Sequence, residues 1–307
     1  MFSVVFPGQG SQTVGMAKEL YDNKSYIKEL FIRADEILGF SLSKLILEGP
    51  KTELDQTENT QPAIFLVSYS IFEMIKRESN FDLTKAKYFA GHSLGEYTAL
   101  AASGSLDFDQ AIKLLKARGR AMQSSFPTGE GGMLAVLGTD ITTISNLLKE
   151  NEKTYECYIA NDNSNGQIVI SGRDQDLNLL IEDLKKKTIK NIRLSVSAPF
   201  HCKFMSGATE IMRHQILNTN FKNPKNIIIS NVTANETNDS SQIKDLLIRQ
   251  IESTVRWRES IIYMLKNKVL KIIEIGPGKV LSGLIKRIDK TVEIVTYNSL
   301  EDIKNIK

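Results

Sequence analysis

Short apolar runs alternate along the chain with stretches of helical period. Residues 2–6 (Phe-Ser-Val-Val-Phe) and 87–91 (Lys-Tyr-Phe-Ala-Gly) fit strands that end in glycine-containing turns. A long helical pattern covers residues 60–79, and two shorter ones cover 94–103 and 107–122. Residues 127–132 hold three glycines and read as a hinge. Beyond it the rhythm changes. Strands fit 133–137, 155–160, 167–171 and 191–196, with helices at 140–149 and 174–186. That order is β-α-β-β-α-β, a ferredoxin-like signature. Strands at 227–230, 271–275 and 292–297 then return to the first pattern. The expectation is an α/β protein with two parts. Residues 1–127 and 198–307 form a large subdomain, and residues 128–197 form a small inserted one.

Composition narrows the class. The 307 residues are 41% apolar and 24% charged, which excludes a disordered or fibrous chain. A net charge of +3 is too mild to argue for nucleic acid, and no partner of that kind is expected. The first apolar run stops at Phe6 without a basic flank, and no later run approaches the roughly 18 residues of a membrane span. No export signal and no membrane contact are therefore expected. Cys157 and Cys202 have neither metal-ligand spacing nor a disulfide framework, so a cytoplasmic protein without a bound metal is expected. The Asn-x-Thr triplet at Asn231 is then no glycosylation signal.

The sharpest chemical signal is Gly91-His92-Ser93-Leu94-Gly95, a G-x-S-x-G directly between a predicted strand and a predicted helix. Such a turn lifts a serine hydroxyl clear of the backbone, at a helix end that favours negative charge. Only three histidines are available as its base. His92 sits in the turn and should point elsewhere, and His214 lies on a solvated helix face. His201 lies where the chain re-enters the large subdomain, beside the expected cleft, and is the preferred base. Asp162, Asp174 and Asp176 all fall in the small subdomain, so a serine–histidine dyad and a triad stay equally open. Ser105-Leu106-Asp107 with Gln110 reads as a capping box for the next helix. In that helix Phe108, Ala111, Ile112, Leu114, Leu115 and Met122 share one face, and Arg118 falls among them. Helices of about 15 and 16 Å in an antiparallel hairpin would bring Arg118 back level with Ser93. A buried guanidinium needs an anion. Either a substrate carboxylate or a buried Asp or Glu would serve. Pro7-Gly8-Gln9-Gly10-Ser11-Gln12 closes the first strand; by itself it reads as a simple strand-to-helix turn, though a loop there can also present backbone N–H groups to an oxyanion.

Several separated motifs stand in a telling order: Pro-Gly-Gln-Gly-Ser-Gln at 7–12, Gly-His-Ser-Leu-Gly-Glu at 91–96, Arg118-Gly119 and Ala-Pro-Phe-His at 198–201. Asn161, Gly166-Gln167, Ser171-Gly172, Arg249-Gln250, Trp257 and residues 276–281 join them. Over almost its whole length the chain resembles the malonyl-CoA:acyl carrier protein transacylases of type II fatty acid synthesis. The resemblance implies an α/β-hydrolase-like large subdomain and a ferredoxin-like small one. It implies Ser93 as nucleophile, His201 as base and the Gln250 carbonyl as the group that orients the imidazole. It further implies an oxyanion hole from the backbone N–H groups of Gln9 and Leu94, and a malonyl carboxylate on Arg118. Malonyl-CoA and acyl carrier protein would be the substrates of a monomeric enzyme that needs no cofactor. Thr254, Asn165 and Lys203 stand where that family often has proline.

Overall fold

The computed structural model describes residues 1–196 and 198–306. Ser197, the expected last residue of the small subdomain, lies outside the described residues. Among the described residues ten strands form two sheets: β1 (Phe2–Phe6), β2 (Tyr88–Gly91), β3 (Gly131–Leu137), β4 (Cys157–Ser164), β5 (Gln167–Arg173), β6 (Lys190–Arg193), β7 (Ile227–Ile229), β8 (Glu236–Thr237), β9 (Lys271–Ile275) and β10 (Glu293–Tyr297). The larger sheet has the order β10-β9-β1-β2-β7-β8. Its strands pair in parallel except for the short edge strand β8.

A parallel sheet needs covering on both faces, and the sequence supplies this through continuous apolar strands. In β1, Val4 and Phe6 pack into one core with Ile64, Phe65 and Ile71 of the helix Thr57–Glu78. Val5 points the other way, into a core with Trp257, Ile261 and Leu281. All three β1 side chains are buried. The carboxyl ends of β1 and β2 therefore emerge side by side at one edge, where ligands of such sheets bind.

The smaller sheet is antiparallel, in the order β4-β5-β3-β6. With the helices Ile141–Glu150 and Asp174–Lys186 it makes the expected β-α-β-β-α-β unit. Period-two alternation splits its strands between two tasks. Leu134, Val136, Ile168 and Ile170 face its own helices. Met133 and Val169 face the main core and roof the edge of the large sheet.

Differences from the sequence reading have local causes. The hinge is shorter than expected, because Gly131 and Gly132 already pair with Arg173 and Gly172. β4 runs on to Ser164 through Asn161-Asp162-Asn163, residues that propensity keeps out of strands. Tertiary partners outweigh propensity here: Arg258 holds Asp162, and His92 holds Asn163. The β4–β5 register shifts twice across this stretch. β6 ends at Arg193, and Leu194 and Val196 line the cleft instead of extending the sheet. The capping box at Asp107 does not form. The helix begins at Phe108, and Asp107 makes no side-chain cap bond.

Candidate active site

Ser93 sits on the turn between β2 and the helix Gly95–Ala102, with φ of 53°. Such backbone costs a non-glycine residue about 1–3 kcal/mol and persists only where the surroundings enforce it. Here they do. A Cβ on Gly91 would lie 1.9 Å from the Gly95 carbonyl carbon, and one on Gly95 would lie 2.3 Å from the Phe6 carbonyl oxygen. The Ser93 N–H donates to Asn231 Oδ1 (2.7 Å), whose Nδ2 donates to the Gly91 carbonyl (2.7 Å). One buried asparagine thus ties both sides of the turn.

His201 reaches this serine from the other rim. Its Nε2 lies 2.8 Å from Ser93 Oγ, and its Nδ1 lies 2.9 Å from the Gln250 carbonyl oxygen. A carbonyl can only accept, so Nδ1 carries the proton and Nε2 presents its lone pair to the hydroxyl. No carboxylate takes the third place among the described residues. His201 has φ of 57°, and the chain before it is held by Ser171 Oγ donating to the Phe200 carbonyl (2.5 Å). Burial, together with the charge of Arg118, pulls the His201 pKa down to about 3. The resting imidazole is therefore neutral.

Arg118 is 1% exposed. Its Nη2 donates to Ser93 Oγ (3.1 Å) and to Gln250 Oε1 (2.9 Å), while Nη1 donates to Gln61 Oε1 (2.8 Å). Nε has no acceptor among the described residues. The guanidinium stands over the Tyr97 ring, 5.6 Å from its centroid. Of the two readings left open for Arg118, direct pairing to a buried acid is not what the structure has. Among the described residues no carboxylate lies within ion-pair distance of it, and its neighbours are amides and a hydroxyl.

Gln9 and Leu94 line the same cavity of about 130 Å³ as Ser93, Arg118 and His201. Among the described residues neither backbone N–H is used in a hydrogen bond. A wider channel of about 520 Å³ adjoins it, past Gln9, His92 and Asn163 to Lys51 and Leu284. All six expected site residues, Ser93, His201, Gln250, Arg118, Gln9 and Leu94, therefore meet at one cleft between the two sheets. The chemistry available is attack by an activated hydroxyl on a carbonyl next to a fixed cation.

The family profile described as the acyl transferase domain matches residues 3–303. The chain belongs to the acyl transferase domain family. It is 38% identical over 307 residues to the malonyl CoA-acyl carrier protein transacylase of Haemophilus influenzae, covering 100% of this chain and 98% of that protein. Among solved structures it matches an acyl carrier protein S-malonyltransferase from Vibrio cholerae with a TM-score of 0.95 and 38% identity, covering 100% and 99% of the two chains. It also matches a malonyl-transacylase in complex with its type II polyketide synthase acyl carrier protein, with a TM-score of 0.94 and 34% identity over 99% and 97%.

Within this acyl transferase some site residues escaped the sequence reading. Gln61 opens the apolar run of its helix, and a lone amide ahead of Pro-Ala-Ile-Phe-Leu is a legible sign of a buried hydrogen bond. Asn231 reads along the chain only as part of an Asn-x-Thr triplet, yet it is fully buried beneath the elbow. Glu96 closes the Gly-His-Ser-Leu-Gly-Glu motif, and its neighbours along the chain do not reveal its partner. It is 2% exposed and accepts from the Gln250 amide (2.8 Å). His92 does turn away, to Asn163 (2.8 Å) and the Trp257 ring. His214 is exposed, as its helix face requires. Thr254 is held by its hydroxyl donating to the Ile159 carbonyl (2.5 Å). Lys203 pairs with Glu156, and Asn165 reaches the Arg287 carbonyl (3.4 Å).

Proposed function

We propose that this acyl transferase moves a malonyl group from malonyl-CoA to the phosphopantetheine thiol of an acyl carrier protein, through a malonyl ester on Ser93. His201 Nε2 takes the hydroxyl proton as Oγ attacks the thioester carbonyl. The backbone N–H groups of Gln9 and Leu94 receive the oxyanion, each contributing roughly 3 kcal/mol to the transition state. The tetrahedral adduct collapses, CoA sulfur leaves, and the imidazolium returns the proton to it. The carrier thiol then repeats the sequence in reverse. A carbonyl, unlike a carboxylate, does not lock in the imidazolium between the two half-reactions, which suits a base that must give its proton back each time.

One observation carries the reading: a buried guanidinium 3.1 Å from the nucleophile, with no carboxylate in direct contact and one unpartnered donor among the described residues. A malonyl carboxylate stands three bonds beyond Oγ and would satisfy that donor. A plain esterase has no use for it. The names of the relatives support the same reaction. Every group invoked comes from one chain, which supports action as a monomer, and no step draws on a resident cofactor or metal. A CoA thioester substrate fits the cytoplasm. No helix among the described residues is long and apolar enough to cross a membrane.

The test is intact-protein mass spectrometry after exposure to malonyl-CoA alone. A malonyl adduct mapped to Ser93, absent in Ser93→Ala, is expected. Steady release of malonate without adduct would instead make the protein a hydrolase. Arg118→Ala is expected to lose about 3 kcal/mol of transition-state binding, roughly a hundredfold in kcat/KM, for malonyl-CoA. Equal loss with acetyl-CoA would reduce Arg118 to a structural part.

A further inference from the structure

A fully buried cation costs several kcal/mol unless a counter-charge stands near. The acid that faces Arg118 is Glu96, on the first turn of the helix Gly95–Ala102. The two do not touch. One amide lies between them: Gln250 Oε1 accepts from Arg118 Nη2 (2.9 Å), and Gln250 Nε2 donates to Glu96 Oε2 (2.8 Å). The same carboxylate oxygen accepts the Asn231 N–H (3.1 Å). The amide dipole thus points its oxygen at the cation and its nitrogen at the anion. A flipped Gln250 would meet repulsion at both ends. Nε2 also donates to the Ser93 carbonyl (3.1 Å), and the main chain of Gln250 holds His201. Glu96 therefore sits behind three groups of the site at once.

We propose that Glu96 is a positioning residue and the counter-charge of Arg118. Through the Gln250 amide it fixes the guanidinium beside Ser93 in the empty enzyme, and it gives up that ionic role when a substrate carboxylate docks. This rests on the malonyl-transfer reading. With malonyl bound, two anions flank one cation in a dry cleft. The substrate carboxylate meets the guanidinium directly, so Glu96, one amide away, is the group that takes up a proton.

The surroundings of Glu96 fit that exchange. Burial raises its pKa to about 7, with the Asn231 N–H, the Gln250 amide and Arg118 pulling the other way. Arg118, on the helix Phe108–Ser124, is the charged group facing it. The helix Ser240–Gln250 and the loop after β7 bring only Gln250 and Asn231, which are uncharged. Tyr97, next in its own helix, is pushed up to about 12 by burial and stays neutral. Strands β1 and β2 and the helix Thr57–Glu78 pack on the same helix and bring no charge that acts on it.

Acylation itself is proton-neutral near pH 7, because the Ser93 proton leaves on the CoA sulfur. A proton drawn from solvent as the adduct forms therefore reports on Glu96. The experiment mixes the enzyme with one equivalent of malonyl-CoA in weakly buffered indicator solution near pH 7. Mass spectrometry of the same sample counts the adduct. The wild type is expected to take up about half a proton per malonyl-Ser93, and Glu96→Gln none. In steady state, the malonyl-CoA KM of the wild type is expected to rise several-fold between about pH 6.5 and about pH 8.5, and that of Glu96→Gln to stay level. Adduct without proton uptake in the wild type, or equal uptake and equal pH dependence in both proteins, overturns the proposal. A purely structural Glu96 would give that second result together with a lower melting temperature. Should Glu96→Gln fail to fold, the wild-type uptake decides alone. Absence of any adduct on Ser93 would overturn the malonyl reading instead.

Discussion

The proposed chemistry depends on His201 being neutral at rest. Two causes hold it so, first burial and then the charge of Arg118. Its pKa lies below the ordinary histidine value of about 6.5, so the unfolded chain takes up the proton first. Its contribution to stability is therefore full above about pH 6.5 and falls away as pH drops towards 3. Arg118→Met keeps the bulk of the side chain and removes the charge. It is expected to raise the His201 pKa, though not to the ordinary value, because burial remains. Ring-proton titration by NMR checks this readily in a chain with three histidines. An unmoved His201 would mean that the arginine exerts no field at the base. A docking carboxylate should act on His201 in the same direction, making the imidazole a stronger base only once substrate is in place.

At the scale of elements, the elbow is where packing leaves least freedom. A Cβ on Gly95 would meet the Phe6 carbonyl at 2.3 Å and the Pro7 carbonyl at 2.8 Å. Both are backbone atoms, at the end of β1 and just after it, and have little room to give way. Gly95→Ala is expected to cost about 3 kcal/mol or more and to lose the Ser93 adduct. Gly283, in the helix Val280–Ile288, has nothing within 4 Å of an added Cβ. Gly283→Ala is expected to stabilise by up to about 1 kcal/mol, raising Tm by roughly 2 °C. Thermal melts of the two variants should shift in opposite directions. Shifts of the same sign would show that helix propensity, and not crowding, governs both positions.

The cleft exists at the scale of the whole molecule, because one sheet roofs another. The seam between them runs along β4. The Asp162 N–H donates to the Val255 carbonyl (3.0 Å), the Val255 N–H donates to the Ala160 carbonyl (2.8 Å), and Arg258 grips the buried Asp162 carboxylate (2.8 Å). Arg258→Met would leave that carboxylate buried and alone, at a cost of about 3 kcal/mol. It is also expected to loosen the roof and let water reach the acyl-enzyme. The measurement is malonate release from malonyl-Ser93 without carrier protein, which should rise in the variant and fall again on adding Asp162→Asn. Unchanged release would mean that the seam plays no part in excluding water.

The sequence alone was enough for whatever depends on neighbours along the chain. Apolar runs of β1, β2 and β9, the period of the helix carrying Arg118 and the glycines of the elbow each follow from local geometry. That Ser93, His201 and the buried Arg118 belong to one cleft was legible for that reason. The order of separated motifs pointed to the Gln250 carbonyl as the partner of His201, which no spacing could. What escaped were contacts between residues far apart in sequence. The Asn231 clasp, the Gln61 partner of Arg118, the Glu96–Gln250–Arg118 relay and the polar half of β4 all join side chains from different elements. Their energies arise from burial and from a particular orientation across a packed interface. A one-dimensional pattern encodes neither, so only the tertiary structure could decide them.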